Sequence, residues 1–295
     1  MDAFSGYHPL INFTYFTIVI GLSMFYMHPV FLALSLAGSV SYSVYLKGRK
    51  TVKVFLIGML PVCLLTMVMN PLFSHAGATM LFYMRNGNPV TLESIMYGLA
   101  SGLMLAGVIS WFSVFHEVMT SDKFMYLFEK VVPAFSLLLS MTLRFVPRFT
   151  AQIKRVAESQ QCIGRNVNNG KLYERAAHGL KILSITTTWA LENSVETADS
   201  MKSRAYGLRG RTNFSIYRFD RRDGALLAFL LGTTGVLLTC MHLRKLKILY
   251  FPVFIMNETT TGAVILYILY GILCMLPLLL NILEDIKWRS LRSEI

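Results

Sequence analysis

The chain has 295 residues, of which 54% are apolar and 15% charged, with a mean hydropathy of +0.52 and a formal net charge of +12. A soluble domain carries about 25% charged residues, so a water-soluble globule is a poor reading and lipid accounts better for the long uncharged runs. The basic excess is concentrated: residues 144–222 hold fifteen Lys or Arg against six Asp or Glu, a net of +9.

No charged residue lies between Phe4 and Leu46. A span needs about 20 apolar residues, so this run holds two, about 8–27 and 29–46. Met27-His28-Pro29 is the turn between them, because proline disfavours helix in the residue before it. The first residues do not read as a signal peptide: no basic stretch precedes the run, and the early charge is Asp2. Lys47, Arg49, Lys50 and Lys53 then form a short basic loop, which the positive-inside rule places in the cytoplasm. The N-terminus is therefore expected inside. A third span at about 54–72 exits and a fourth at about 92–115 returns. The loop 73–91 between them holds Gly77, Gly87, Asn88, Pro89 and a single basic residue, Arg85, which suits the outside.

Residues 116–130 mix charge with aromatics (Asp122, Lys123, Phe124, Tyr126, Phe128, Glu129, Lys130) and read as an amphipathic helix at the interface. The run Val131 to Phe145 is short for a span, is bracketed by Pro133 and Pro147, and is expected to enter the membrane only partly. Pro147 to Gly164 has no internal proline or glycine, and Gly164, Asn166, Asn168, Asn169 and Gly170 form a dense stop. From Lys171 to Ala205 a second helical pattern follows, about 50 Å long at 1.5 Å per residue. Leu180, Leu183, Thr187, Leu191, Val195, Ala198 and Met201 make one stripe on it, with Glu192, Glu196 and Asp199 off the stripe. These are two amphipathic helices that can cross each other and lie against the membrane face. Two more spans, at about 224–241 and 262–283, close the chain. Arg244, Lys245 and Lys247 sit awkwardly in the outside loop between them, where Phe251-Pro252-Val253-Phe254 can lie along the membrane surface. The tail, with Lys287, Arg289 and Arg292, suits the cytoplasm.

The expected fold is an all-α polytopic membrane protein with about six transmembrane helices and two long cytoplasmic amphipathic helices. It divides into an N-terminal membrane part (1–130), a cytoplasmic helical region (131–222) and C-terminal membrane helices (223–295). The spans hold almost no ionisable groups, which argues against a proton-coupled transporter or an intramembrane protease. There is no phosphate-cradling Gly-x-x-x-x-Gly-Lys-Ser/Thr loop, so any ATP is hydrolysed by another chain. Cys63, Cys162, Cys240 and Cys274 and the six histidines are scattered without ligand spacing, so neither metal nor cofactor is expected. The basic balance is that of cytoplasmic loops in general and does not call for nucleic acid.

The second long helix ends at Arg204. A cation is favoured at a helix C-terminus by about 0.3–1 kcal/mol, so Arg204 can simply cap its helix or meet lipid phosphates. Alternatively, a guanidinium fixed at a helix tip can pair bidentately with carboxylates of a partner.

Ser203-Arg204-Ala205, followed by Tyr206-Gly207, Arg209-Gly210 and Arg211-Thr212, resembles the second Xaa-Arg-Xaa motif of the transmembrane T component of energy-coupling factor (ECF) transporters, the CbiQ/EcfT-like family. Leu143-Arg144-Phe145-Val146-Pro147-Arg148 is similar to the segment that opens that family's first long coupling helix, and the order of parts agrees. The family's first motif, usually Ala-Arg-Gly, falls at Cys162-Ile163-Gly164, where Ile163 stands in the arginine position and Arg165 lies two residues later. The resemblance implies a non-enzymatic scaffold for vitamin or metal-ion uptake. Two ABC-type ATPases would bind the helix tips, here Cys162, Ile163, Gly164 and Arg165 on one side and Ser203, Arg204 and Ala205 on the other. A membrane-embedded substrate-binding S component would sit on the apolar surface. The departure at Ile163 leaves open whether Arg165 takes over the missing role or the ATPase contacts are unequal. Two other functions compete: a polytopic enzyme acting on lipid phosphates at the cytoplasmic face, which lacks the acidic cluster such chemistry normally needs, and a passive membrane anchor.

Overall fold

The computed structural model of the chain describes residues 2–48, 50–84, 87–129, 132–165, 171–206, 217–243, 248–255 and 261–293. It is built from nine α-helices and one small hairpin: α1 Pro9–Phe25, α2 Pro29–Lys47, α3 Lys50–Phe73, β1 Met80–Tyr83, β2 Pro89–Thr91, α4 Leu92–Val118, α5 Ser121–Glu129, α6 Pro133–Cys162, α7 Leu172–Ser203, α8 Arg221–Leu243 and α9 Thr261–Ser293. They fall into two compact units, Met1–Phe124 with Tyr217–Ile295, and Met125–Ile216. Among the described residues, α2, α4, α8 and α9 are long and apolar enough to cross a membrane, and Pro9–Phe25 and Ile57–Phe73 are shorter apolar helices. The chain is thus a polytopic helical membrane protein with helices at all six expected span positions.

In the first unit, α1 and α2 both start at a His-Pro pair. Proline at the first helical position gives up a donor that has no partner there anyway, and the preceding imidazole caps the turn. His8 Nδ1 accepts from the Leu10 amide at 3.2 Å, and His28 Nδ1 from the Val30 amide at 3.3 Å. The core between α1, α2, α4 and α9 is aromatic: Phe4, Tyr15, Phe16, Tyr42 and Trp111 are fully buried, in edge-to-face contacts. Small residues bring backbones together where lipid offers no hydrophobic drive. A Cβ on Gly98 would come within 2.8 Å of the Thr66 carbonyl oxygen, and one on Gly102 within 2.9 Å of Cys63 Cα, so this Gly-x-x-x-Gly seats α4 against α3.

The segments of this unit sort to two ends. At one, Tyr42 and Asn281 donate to the Asp2 carboxylate at 2.7 and 2.6 Å, and Lys47 donates to Ser113. Lys123, 6% exposed, donates to the Ser5 carbonyl and hydroxyl and to the Val118 carbonyl. At the other end, Tyr250 donates to the Met27 carbonyl at 2.6 Å, the Ala78 amide donates to the Pro252 carbonyl, and Tyr250 and Phe251 pack on Tyr97. Both termini therefore share an end with the 47–50 corner. The turn at 26–28, the loop 74–91 and the segment 248–255 share the opposite one.

Four expectations need correction. The loop 73–91 contains a two-stranded sheet, with Met80 opposite Thr91 and Tyr83 opposite Pro89; an Asn-Gly pair, a hairpin-turn signal, stands at its turn. Lys123 does not lie on a solvated face but points into a cage of oxygens, which satisfies its three donors. Residues 248–255 form a folded cap joined by a Leu249–Ile255 bridge. Finally, α6 is continuous through Pro147. An interior proline costs about 3 kcal/mol, and packing beside it offsets this: Phe145 stacks on Phe149, which meets the Trp189 ring edge-on at 5.7 Å.

In the second unit, α6 and α7 pack on each other through Ile182, Thr186, Trp189 and Asn193 rather than through the more apolar stripe. Leu180, Leu183, Leu191 and Val195 are 58–66% exposed.

Candidate functional site

The two long helices end in the same way. At the C-terminus of α7, Arg204 is the cap residue, Ala205 adopts φ +59°, the Ala205 amide donates to the Lys202 carbonyl at 3.0 Å and the Tyr206 amide to the Met201 carbonyl at 3.1 Å. At the C-terminus of α6, Ile163 is the cap residue, Gly164 adopts φ +81°, the Gly164 amide donates to the Gln161 carbonyl at 3.0 Å and the Arg165 amide to the Gln160 carbonyl at 2.9 Å. Both are Schellman caps, in which a left-handed residue turns the chain and two amides satisfy orphan carbonyls. The geometry makes Cys162-Ile163-Gly164 the structural counterpart of Ser203-Arg204-Ala205, position for position. Arg165 is the counterpart of Tyr206, and its backbone is fixed by the cap even though it lies past the helix.

All seven of these residues are exposed. They form two separate clusters, one per tip, and no hydrogen bond or ion pair links the two among the described residues. Gly207 to Thr212 lie outside the described residues. So do Asn166 to Gly170.

Glycine adopts the left-handed conformation freely, whereas for other residues it costs about 1–2 kcal/mol. The strain therefore falls on Ala205, next to the arginine, and not on the Ile163 tip.

Arg204 also stands at a groove of about 850 Å³ between α6 and α7, lined by Arg144, Phe145, Arg148, Asn193, Glu196, Thr197, Ser200, Met201 and Tyr206 among others. The three guanidiniums outnumber one carboxylate, and no ion pair joins them among the described residues. Arg148 is held instead over the Trp189 ring, its Cζ 5.6 Å from the centroid, an arrangement that attracts a cation to the ring face. A groove with uncompensated guanidiniums suits bidentate pairing with carboxylates or phosphates. Sequence reasoning found Arg204 but not its neighbours. The signal was present in the four-residue spacing of Arg144 and Arg148, which puts both on one helix face.

No protein-family model matches the chain. It is similar to curated proteins named energy-coupling factor transporter transmembrane protein EcfT. The Lactobacillus helveticus protein is 30% identical over 113 residues, 38% of this chain and 41% of that protein. That of Bacillus selenitireducens is 25% identical over 223 residues, 68% of this chain and 76% of that protein. EcfT 1 of Listeria monocytogenes is 27% identical over 205 residues, 63% and 75%. The match to the first of these spans less than half of that protein's length, whereas the other two are matched over about three quarters.

Proposed function

The chain is a distant relative of the EcfT transmembrane proteins, and from that premise we propose that it is the coupling scaffold of an energy-coupling factor importer. It is a non-catalytic subunit. Two cytoplasmic ABC-type ATPases bind the tips of α6 and α7, and their closing on ATP moves these helices. A membrane-embedded S component, which selects the vitamin or metal ion, takes up the motion. The observation that carries this reading is the pair of equivalent helix caps, one of them presenting Arg204 beside a groove of uncompensated guanidiniums. The outward stripe of α7, Leu180, Leu183, Leu191 and Val195, supports a further apolar partner, because the contact with α6 uses a different face. ATPase binding is thus assigned to Ser203, Arg204 and Ala205 at one tip and to Cys162, Ile163, Gly164 and Arg165 at the other.

Membrane orientation belongs to the same proposal. The end that gathers both termini and the Lys47 corner faces the cytoplasm, together with the basic region 131–222, while 1–130 and 223–295 form the membrane part. The sorting of segments to two ends agrees with alternating loops, and the charge of the 47–53 corner and of the tail supports the side.

The test is affinity purification of the tagged chain from its own cell. Two ATPase chains or one in two copies should copurify, and Arg204→Glu should remove them while the membrane part stays folded. Normal ATPase recovery with the variant would overturn the assignment, as would the lack of any ATPase with the unaltered chain.

A further inference from the structure

Strand β1 is apolar on both faces and covered on neither. Successive strand residues point to opposite sides, yet Met80, Leu81, Phe82 and Tyr83 are 56%, 51%, 59% and 65% exposed. β2 is the inner strand, with Val90 and Thr91 buried, so β1 is an edge with a free row of backbone groups. In water such an edge invites aggregation, and a lone two-stranded hairpin is marginal.

This hairpin is nonetheless firmly built. Its base is pinned by the Glu93 carboxylate, which accepts from the Thr79 amide at 3.1 Å and the Thr79 hydroxyl at 2.7 Å. Thr91 donates to the Ala76 carbonyl and Ser94 to the Ser74 carbonyl, both at 2.8 Å. It also cannot stand far from the bilayer: β2 runs without a linker into α4, and six residues separate β1 from the end of α3. The exposed apolar side chains at those two helix ends, Leu72 and Phe73 on α3 and Leu92 and Met96 on α4, continue the lipid-facing surface of the spans up to the strand.

We propose that the 80–91 hairpin is an interfacial foot, which lays β1 into the boundary between headgroups and acyl chains of the leaflet at that end of the spans. Its occupant is phospholipid rather than protein. The continuity of the strand with the lipid-facing helix surface argues for this, as does its composition. Aromatic side chains are enriched at that depth, and Tyr83 can place its ring in the acyl boundary and its hydroxyl among headgroups. The loops at the turn stay polar, with Asn88 within 3.0 Å of His75. That the leaflet is the outer one rests on the orientation proposed above.

The experiment places an indole on the strand. Phe82→Trp and, separately, Tyr83→Trp are reconstituted as full-length chains in phospholipid nanodiscs without any partner. The emission of the three native tryptophans is subtracted. The added emission should lie at short wavelength, and should be quenched by lipids brominated near the top of the acyl chain more than by lipids brominated near its end or by acrylamide. Water-like emission quenched by acrylamide at both positions would overturn the proposal. So would protection that appears only when an S component is added, since the strand would then be a protein-docking edge. Depth is read independently of side, so a failure of the orientation is recognised separately, in right-side-out vesicles with an impermeant quencher.

Discussion

The equivalence of the two helix caps makes the Ile163 departure measurable. Arg204 has no ion-pair partner within the described chain, so Arg204→Ala leaves no buried charge behind, and the free protein should lose only the helix-end contribution, about 0.3–1 kcal/mol. If the guanidinium is desolvated against partner carboxylates, its loss costs about 3–5 kcal/mol of binding, a weakening of about two to four orders of magnitude at 1.4 kcal/mol per tenfold. Arg165 occupies the position of Tyr206, not that of Arg204. Its amide is tied to Gln160, but its side chain leaves two residues further on. Arg165→Ala should therefore cost at most one charge-assisted bond, about 1.5–3 kcal/mol. Ile163→Arg is the informative gain. Ile163 is 61% exposed and the cap bonds are all backbone, so an arginine fits without disturbing them. It should either strengthen the weaker ATPase contact or disturb a partner pocket that has become apolar. The assay is ATPase affinity in nanodiscs for each variant, with thermal melting as the control for folding. Equal losses from Arg165→Ala and Arg204→Ala would refute the positional argument and make Arg165 the working anchor of the first tip.

Ala205→Gly should relieve the left-handed strain and raise the stability of the α7 terminus by about 0.5–1 kcal/mol, and Gly164→Ala should lower that of α6 by a similar amount; hydrogen exchange of the amides at 202–206 and 161–165 reads both. Lys123→Met removes the donors to Ser5 and Val118 and leaves carbonyls unpaired in a buried site, at a cost of about 1–3 kcal/mol, visible as a lower Tm. His28 is buried and accepts from Val30, and burial pushes its pKa below the usual imidazole range. The unfolded chain takes up this proton below about pH 6.5 while the folded one resists. Stability is therefore full above that pH and falls by at most about 1.4 kcal/mol per pH unit below it, until the folded pKa is passed. His28→Asn, a cap that does not titrate, should flatten the acid slope of Tm relative to the unaltered chain.

The helices were legible because their signals are long. Uncharged runs located the spans, the His28-Pro29 corner located the first turn, and Gly164 with its asparagines located the end of α6. What escaped depended on contacts across the chain. Pro147 reads locally as a stop, and only the ring stack of Phe145, Phe149 and Trp189 explains why the helix passes through it. Lys123 reads as a surface charge until Ser5, far away in sequence, supplies its acceptors. The β1 run is four residues long among apolar neighbours, too short to separate from helix by periodicity.

The stripe on α7 failed to indicate the packing face for a different reason. In a soluble protein the most apolar face of a helix points to the core. Here lipid or an apolar partner is itself a solvent for leucine, so hydrophobicity does not tell inside from outside. The internal contact is carried instead by residues of mixed polarity, Ile182, Thr186, Trp189 and Asn193. Such a face gains from shape and ring contacts rather than from the exclusion of water, and the strongly apolar stripe stays free. For a scaffold that must hold its two helices together while offering one of them to a membrane partner, this division gives each face one task. Polar substitution of Leu183 and Leu191 should then spare the α6–α7 pairing and the melting of this unit, while weakening recovery of the S component. Loss of the helix pair itself would mean that the stripe is part of the internal contact after all.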